Sequence, residues 1–231
     1  GVIARIAPDR FHVTTTTGGA ASVLHLMEDY RQTEFPDLRV WLTSTTEQYA
    51  VIALQGPRSA EILAPLVDDA DLTAMPHMAV VSCRVAGVPA RLFRVSFTGE
   101  IGFEINVPAG QARYVLDSIL ATDPAITPYG TEAMHVLRAE KGFIIVGQET
   151  DGTVTPLDLG MDWIVSKQKD FLGKRSFARS DTSRADRKQL VGLLPADPAE
   201  VLPEGAQLVW NAAEAPVRMV GHVTSSYWSP N

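Results

Sequence analysis

The sequence FTGEIGFE, residues 97–104, carries most of the information about the fold. An aromatic residue, a Thr-Gly pair and a second glycine precede Phe103 and Glu104. Glycine adopts backbone conformations that other residues avoid, so this pattern predicts a turn between two strands where the backbone passes close to a flat object. The turn would deliver one carboxylate, that of Glu104, to a defined place.

A second stretch, RAEKGFIIVGQE, covers residues 138–149. Arg138 stands at the end of a run with helical spacing, and Gly142 ends that run as a helix C-cap. An acid and a permanently charged base, each on rigid structure, are suited to gripping a planar ligand rich in N–H groups.

Five segments of the chain resemble the aminomethyltransferase family, to which the glycine cleavage system T protein belongs. They are VIALQGPRSAEIL (51–63), RVSFTGEIGFEI (94–105), YGTEAMHVLRAEKGF (129–143), TPLDLGMDWIV (155–165) and FLGKRSF (171–177). Within the family, residues 128–156 are most similar to the C-terminal domain of sarcosine oxidase alpha subunits.

The resemblance implies an α+β protein with an aminomethyltransferase-like folate-binding fold. We expect a discontinuous first folate-binding domain from residues 1–46 and 126–180. The order of strands and helices predicts a ferredoxin-like βαββαβ unit at 47–125. Residues 180–188 are polar and predict a linker, and the short strands after it predict an incomplete C-terminal β-barrel domain at 181–231.

Local patterns place the elements more closely. Strands are expected at 2–6, 10–15, 39–44, 51–55, 78–85 and 89–96, followed by the turn and a strand to Val107. Helices are expected after Gly18-Gly19, after Pro57, at 109–121 and from Gly130. In the last part, the strands expected are KQLVGLL, AQLVW and VRMVGHVTSS.

Composition limits the possible functions. The chain has 231 residues, 45% of them apolar, and a net charge of −7 that works against binding nucleic acid. No apolar run approaches the roughly 20 residues of a membrane span, so no membrane association is expected. The single cysteine, Cys83, excludes an intrachain disulfide and suits the cytoplasm. The five histidines lack metal-site spacing, so no metal is expected.

The resemblance also implies a set of folate-binding residues. Glu104 matches the glutamate that accepts hydrogen bonds from a ring N–H and the exocyclic amine of the pterin, and Phe97 and His77 match positions that line the pterin slot. Arg138 matches an arginine that either holds the ligand or locks a neighbouring carboxylate. The alternatives are an exposed Glu104 without a partner, and an Arg138 that pairs with Glu140 or Glu132.

A folate tail carries carboxylates, and in an acidic chain it needs a local basic cluster. The candidates are Lys167, Lys169, Lys174 and Arg175. A solvated charged loop explains these four residues equally well.

The function implied is that of a tetrahydrofolate-binding, one-carbon-transfer domain of a heterotetrameric sarcosine oxidase alpha subunit. It would trap the methylene iminium or formaldehyde from sarcosine oxidation as 5,10-methylenetetrahydrofolate. Its partners would be the other sarcosine oxidase subunits, with flavin and NAD bound outside this chain. The alternatives are a stand-alone aminomethyltransferase or folate-dependent demethylase, and a noncatalytic folate-binding module.

Both ends of the chain suggest a fragment of a longer polypeptide. In the family, a catalytic aspartate lies just before the strand that begins here at Gly1, so no catalytic residue is assigned within the chain. We therefore expect the isolated chain to lack competent catalysis.

Overall fold

The computed structural model describes the backbone of residues 1–231 and every side chain except that of Thr17. The chain divides into two compact units, Gly1–Pro128 and Tyr129–Asn231. The division into three domains stays a prediction.

The first unit opens with a β-hairpin and a helix, as the sequence predicted. Strands β1 (Val2–Ala7) and β2 (Arg10–Thr14) pair antiparallel. A 3₁₀ turn at Thr17–Gly19 then leads into helix α1 (Ala20–Thr33). The strand expected at 39–44 is wrong, because these residues lie outside regular structure and pair with no strand in the part of the chain that the structure describes.

A five-stranded sheet forms the centre of the first unit. Its order is β3-β7-β6-β5-β4, and all neighbouring strands are antiparallel. The strands are β3 (Tyr49–Gln55), β4 (Val67–Asp68), β5 (Val80–Val85), β6 (Val88–Phe93) and β7 (Gly102–Pro108). Two helices accompany the sheet, α2 (Ser59–Leu63) and α3 (Ala112–Leu120).

One face of this sheet carries the apolar core. Alternate residues of β7, Phe103, Ile105 and Val107, are fully buried. They cluster with Leu63 of α2 and with Val115 of α3. Because side chains alternate across a strand, Glu104 and Asn106 must lie on the opposite face.

The β1–β2 hairpin packs on that opposite face. Ala4 of β1 clusters with Phe93 and Val95, both almost fully buried. Phe93 of β6 is the cross-strand neighbour of Glu104. The hairpin thus covers β5 and β6, and Glu104 lies one strand further along the same face.

The second unit has less regular structure. Helix α4 (Thr131–Lys141) ends at Gly142, which adopts the left-handed conformation at φ 80° that the sequence predicted for a C-cap. Short 3₁₀ segments follow at Asp162–Ile164 and Lys174–Ala178. Strands β8 (Gln207–Val209) and β9 (Met219–His222) pair antiparallel, whereas the strand expected from KQLVGLL is not formed.

The residues expected to form a polar linker are tied into the second unit. Arg187 donates two hydrogen bonds to Asp158, at 2.8 and 2.7 Å, and another to the backbone oxygen of Thr153 at 2.6 Å. Asp158 also accepts from the backbone N–H and the hydroxyl of Thr155. This cluster holds the segment around Arg187 against the loop at residues 153–158.

The α+β class is confirmed, with one difference in strand order. Four strands, β4 to β7, lie between α2 and α3, where a βαββαβ order has two. Among the helices that the structure describes, none has the length and apolar content needed to cross a membrane.

Candidate functional site

Glu104 lies in the middle of β7, an inner strand of the sheet. Its neighbours across the sheet are Ala53 on β3 and Phe93 on β6. The side chain is partly buried, and burial raises the pKa of its carboxyl group. Within the described residues, no hydrogen bond or ion pair to this carboxylate is formed.

A small residue on β3 leaves the carboxylate of Glu104 open on one side. Ala53, opposite Glu104 on β3, is exposed, whereas the space above Gly102 on the same face is filled by the side chain of Gln55. A Cβ at Gly102 would lie only 2.0 Å from Oε1 of Gln55, so any larger residue there would displace that amide. Phe93, which is 2% exposed, forms an apolar wall on the other side. A flat ligand could therefore approach Glu104 from the β3 side.

Asn106 is a polar residue of this face that the sequence analysis missed. It is 2% exposed and stands two positions after Glu104. Its Nδ2 is buried without a hydrogen-bond partner in the part of the chain that the structure describes. The signal in the sequence was an asparagine within a strand, where this residue is rare.

The loop of residues 94–101 is fixed to β3 and α2, as a rigid platform for Glu104 requires. The N–H of Gly56 and the hydroxyl of Ser59 both donate to the backbone oxygen of Ile101, at 2.7 and 3.2 Å. The buried Thr98 donates to Oε1 of Gln55 at 3.4 Å. The start of β7, and with it Glu104, is therefore fixed by hydrogen bonds to Gln55, Gly56 and Ser59.

Phe97 and His77 lie at the same end of the β5–β6 pair. Phe97 is half-buried in the loop between β6 and β7. His77 is exposed and precedes Met78, whose N–H donates to the backbone oxygen of Arg94 at 2.9 Å. The structure thus places both residues in the unit that holds Glu104. Their contact with a ligand stays a prediction.

Arg138 is buried at the end of α4 in the second unit, with 2% of its surface exposed. Nη1 forms an ion pair with Oε2 of Glu149 at 2.9 Å and donates to the backbone oxygen of Phe143 at 3.0 Å. Nη2 donates to Ser225 at 2.7 Å and to Tyr227 at 3.1 Å. Most of the guanidinium donors are thus used by the protein itself.

The carboxylate of Glu149 is fixed in place by its ion pair with Arg138. Burial alone would raise the pKa of Glu149, but hydrogen bonds from Ser225, the N–H of Ile145 and Arg138 outweigh it and lower this pKa. The geometry favours the alternative in which Arg138 fixes a neighbouring carboxylate. That carboxylate belongs to Glu149, and not to Glu140 or Glu132. Direct binding of a folate by Arg138 stays a prediction.

The chain matches the family model of the GCVT N-terminal domain over residues 1–169. It also matches the glycine cleavage T-protein C-terminal barrel domain over residues 188–231. The chain belongs to the glycine cleavage T-protein family. The aminomethyltransferase-like fold and the start of a C-terminal barrel domain are therefore confirmed.

Relatives of two kinds are similar to this T-protein family member. Sarcosine oxidase subunit alpha of Corynebacterium sp. (strain P-1) is 53% identical over 100% of the chain. The subunit of the same name from Rhizobium meliloti is 39% identical. An aminomethyltransferase of Thermus thermophilus is 36% identical over 83% of the chain and 51% of its own length. The chain spans about a quarter of the length of the two sarcosine oxidase relatives.

A second polar cluster of this family member lies on the same sheet face as Glu104. Nη1 of Arg91 donates to Nδ1 of His12 at 3.1 Å, and its guanidinium lies 4.5 Å from the centre of the Tyr49 ring. Burial and the charge of Arg91 lower the pKa of His12. The ring is therefore neutral at neutral pH, with its proton on Nε2. Sequence analysis missed this cluster, because its members are far apart in the chain.

Metal ligands and the predicted basic cluster add little to the site. In the described residues, no group of three or more His, Cys, Asp or Glu side chains could hold a metal ion. Lys174 forms an ion pair with Asp170 at 3.0 Å on the surface of the second unit. A role for Lys167, Lys169, Lys174 and Arg175 in binding a folate tail stays a prediction.

Proposed function

We propose that the chain is the tetrahydrofolate-binding, one-carbon-transfer domain of a heterotetrameric sarcosine oxidase alpha subunit. One observation carries the proposal: the carboxylate of Glu104 is partly buried, yet it has no protein donor within the described residues. A carboxylate in such a place is expected to acquire partners from a ligand.

The chemistry of Glu104 fits a reduced pterin. The ring N–H and the exocyclic amine of a pterin point the same way, and the two oxygens of a carboxylate can accept both hydrogen bonds. The exposed Ala53 leaves room for a flat ring beside the carboxylate. Phe93 supplies an apolar surface, and Phe97 and His77 are proposed to complete the slot.

Tetrahydrofolate supplies the two nucleophilic nitrogens that take up the one-carbon unit as 5,10-methylenetetrahydrofolate, with glycine leaving from the methylene iminium or water from formaldehyde. The residues of this chain bind and orient it. Glu104 fixes the pterin edge on a rigid strand, so that a bimolecular encounter becomes an oriented one. The buried Arg138 acts as a positioning residue, because its contacts join α4 to Glu149, Ser225 and Tyr227.

The subfamily is supported by the comparisons. Identity to a sarcosine oxidase alpha subunit reaches 53% over the whole chain, against 36% over 83% of it for an aminomethyltransferase. On this proposal the partners are the other oxidase subunits, and flavin and NAD are bound elsewhere in the complex. A cytoplasmic location remains part of the same proposal.

Binding of tetrahydrofolate by isothermal titration calorimetry tests the site. Glu104→Gln should weaken binding about 30-fold, because it removes the charge from two hydrogen bonds worth roughly 2 kcal/mol together. The matched control is Glu100→Gln, four residues earlier on the exposed turn, which should leave the affinity unchanged. Equal affinities for wild type and Glu104→Gln would contradict the proposal.

Product analysis in the assembled oxidase tests the function. With sarcosine and tetrahydrofolate, Glu104→Gln should raise the ratio of free formaldehyde to 5,10-methylenetetrahydrofolate. If the variant only impairs assembly of the complex, the noncatalytic module is favoured. Copurification with a lipoyl-bearing carrier instead of flavin subunits would favour the stand-alone aminomethyltransferase.

A further inference from the structure

The positive charge of the chain is concentrated in one part of the second unit, residues 167–188, called here the basic segment. It contains eight of the 20 lysines and arginines but only three of the 27 aspartates and glutamates. The basic segment therefore carries a charge of +5, whereas the rest of the chain carries −12. Such a separation of charge produces a local field that attracts an acidic surface, even though the chain as a whole is acidic.

Most cations of the basic segment are not neutralised by the chain itself. Its three acidic residues pair with Lys174, Arg184 and Arg187, and Arg187 also pairs with Asp158. Within the part of the chain that the structure describes, the other five cations form no ion pair. All five are exposed: Lys167, Lys169, Arg175, Arg179 and Lys188.

The basic segment is held in a fixed conformation although it contains little regular structure. The hydroxyl of Thr182 donates to the backbone oxygens of Ser176 and Arg179. The rings of Phe171 and Phe177 pack edge to face, with their centroids 6.4 Å apart. A surface that is ordered before it meets a partner loses less conformational entropy on binding.

Large apolar side chains are exposed within and beside the basic segment. Leu172 is 62% exposed, Trp163 before the segment is 78% exposed, and Leu194 after it is 97% exposed. Exposed apolar groups accompanied by polar and charged ones are typical of surfaces that bind other proteins, where aromatic anchors contribute much of the binding energy. These side chains favour a protein as the partner over a nucleic acid, which the charge of the rest of the chain would repel.

We propose that the basic segment is a docking surface for an acidic protein face. The identity of the partner rests on the proposed function, in which the acidic face belongs to another subunit of the oxidase. The acidic remainder of the chain repels the same face, so the field selects the orientation of docking as well as its rate. The proposal gives Lys167, Lys169, Lys174 and Arg175 a role in assembly in place of one in binding a folate tail.

Charge reversal in the alpha subunit that contains this chain tests the docking surface. The probe is the set of other oxidase subunits, purified together, and surface plasmon resonance measures their association rate. Combined Lys167→Glu, Arg175→Glu and Arg179→Glu should slow association at least about tenfold in about 50 mM salt. In about 500 mM salt the variant and the wild type should agree within about twofold, because salt screens the interaction.

The matched control reverses three exposed cations elsewhere on the surface and changes the net charge by the same amount. It should slow association less than about threefold. Its substitutions are Arg10→Glu, Arg39→Glu and Arg218→Glu. A milder variant, with glutamine in place of Lys167, Arg175 and Arg179, adds no repulsion and should slow association about threefold, which keeps the test decisive if the charge reversal impairs folding.

The outcomes separate the docking surface from the proposed function. If the wild-type alpha subunit does not bind the other subunits, the proposed function is wrong. If it binds them and the charge reversal associates normally, or the control slows association equally, only the docking surface is wrong. Vesicles of phosphatidylglycerol are a second probe. Vesicle binding that the charge reversal abolishes, with unchanged subunit association, would assign the basic segment to a membrane surface and overturn the proposal.

Discussion

Burial raises the pKa of Glu104, and no protein donor offsets this effect within the described residues. The folded state therefore keeps its proton at pH values where the unfolded chain has lost it. This contribution to stability is fully present below the unfolded value near 4.5 and is lost as the pH rises through the folded pKa. Glu104 is thus a residue whose ionised form costs the unliganded protein stability.

Glu104→Gln should consequently raise the free energy of unfolding at pH 7 while it weakens folate binding. Urea unfolding followed by circular dichroism at pH 4 and pH 7 measures the effect, which should be larger at pH 7. Glu100→Gln is the control on the exposed turn. A variant that is less stable than wild type at pH 7 would show that Glu104 has a structural partner.

Replacement of Arg138 should lower the free energy of unfolding, in contrast to Glu104→Gln, because the charge of Arg138 is buried and paired. Arg138→Met leaves Glu149 without its cation in a site where both side chains are at most 4% exposed. We expect a loss of about 3 kcal/mol in the free energy of unfolding, measured by urea titration. Arg113→Met, which breaks the exposed pair with Asp117, should change little. Similar losses in the two variants would contradict the buried pair.

A turn with two glycines predicts the strand that carries Glu104, because it constrains the residues that follow it; the binding of a pterin by Glu104 stays a prediction. Sequence reasoning could not place Asn106 or Arg91, since their roles depend on which strands become neighbours. The pairing of Arg91 with Asn106 joins residues from separate strands. The partner of Arg138 was missed for the same reason, because Glu149, Ser225 and Tyr227 reach it only through the tertiary fold.

The cluster around Asp158 joins two segments that lack regular structure. The hydrogen bonds from Arg187 lower the pKa of Asp158 to about 2, although burial opposes them. Stability from this group is present above pH 3.8 and is lost as the pH falls towards 2.

Arg187→Gln should therefore make the free energy of unfolding fall less steeply as the pH is lowered. Between pH 5 and pH 2, the wild type should lose on the order of 2 kcal/mol more than the variant. Arg184→Gln is the control, because its pair with Asp186 is exposed. The same acid dependence in wild type and Arg187→Gln would show that the cluster does not stabilise the second unit.

The elements that were predicted well are those with local signals. The hairpin of β1 and β2, the C-cap at Gly142 and the turn before β7 each follow from residue types at fixed spacing. The strand expected at 39–44 failed because a strand needs a hydrogen-bonding neighbour as well as an apolar sequence. In the structure, Trp41 of this stretch is 85% exposed.

The two units differ in the kind of residue that they bury. The large apolar cluster lies in the first unit, around β5 to β7. In the second unit, the most buried residues are Arg138, Glu149, Asp158 and Val223, of which only Val223 is apolar. Apolar burial is the main stabilising term in folding, so the second unit should be the less stable one.

Hydrogen exchange followed by mass spectrometry should detect this difference. Amides of β6 and β7 should exchange at least about 100-fold more slowly than those of β8 and β9, because core strands open only with the whole unit. Equal protection in the two units would mean that the polar clusters stabilise as strongly as the apolar core.

Cys83 gives the first unit a built-in chemical reporter. It is the only cysteine of the chain, and it is buried in the same apolar cluster as Leu92 and Val85. Burial raises the pKa of its thiol to about 11, so the nucleophilic thiolate is scarce at neutral pH. Alkylation by a reagent such as iodoacetamide would thus label mainly molecules whose sheet has opened. The labelling rate, with and without ligand, would measure how often the sheet opens.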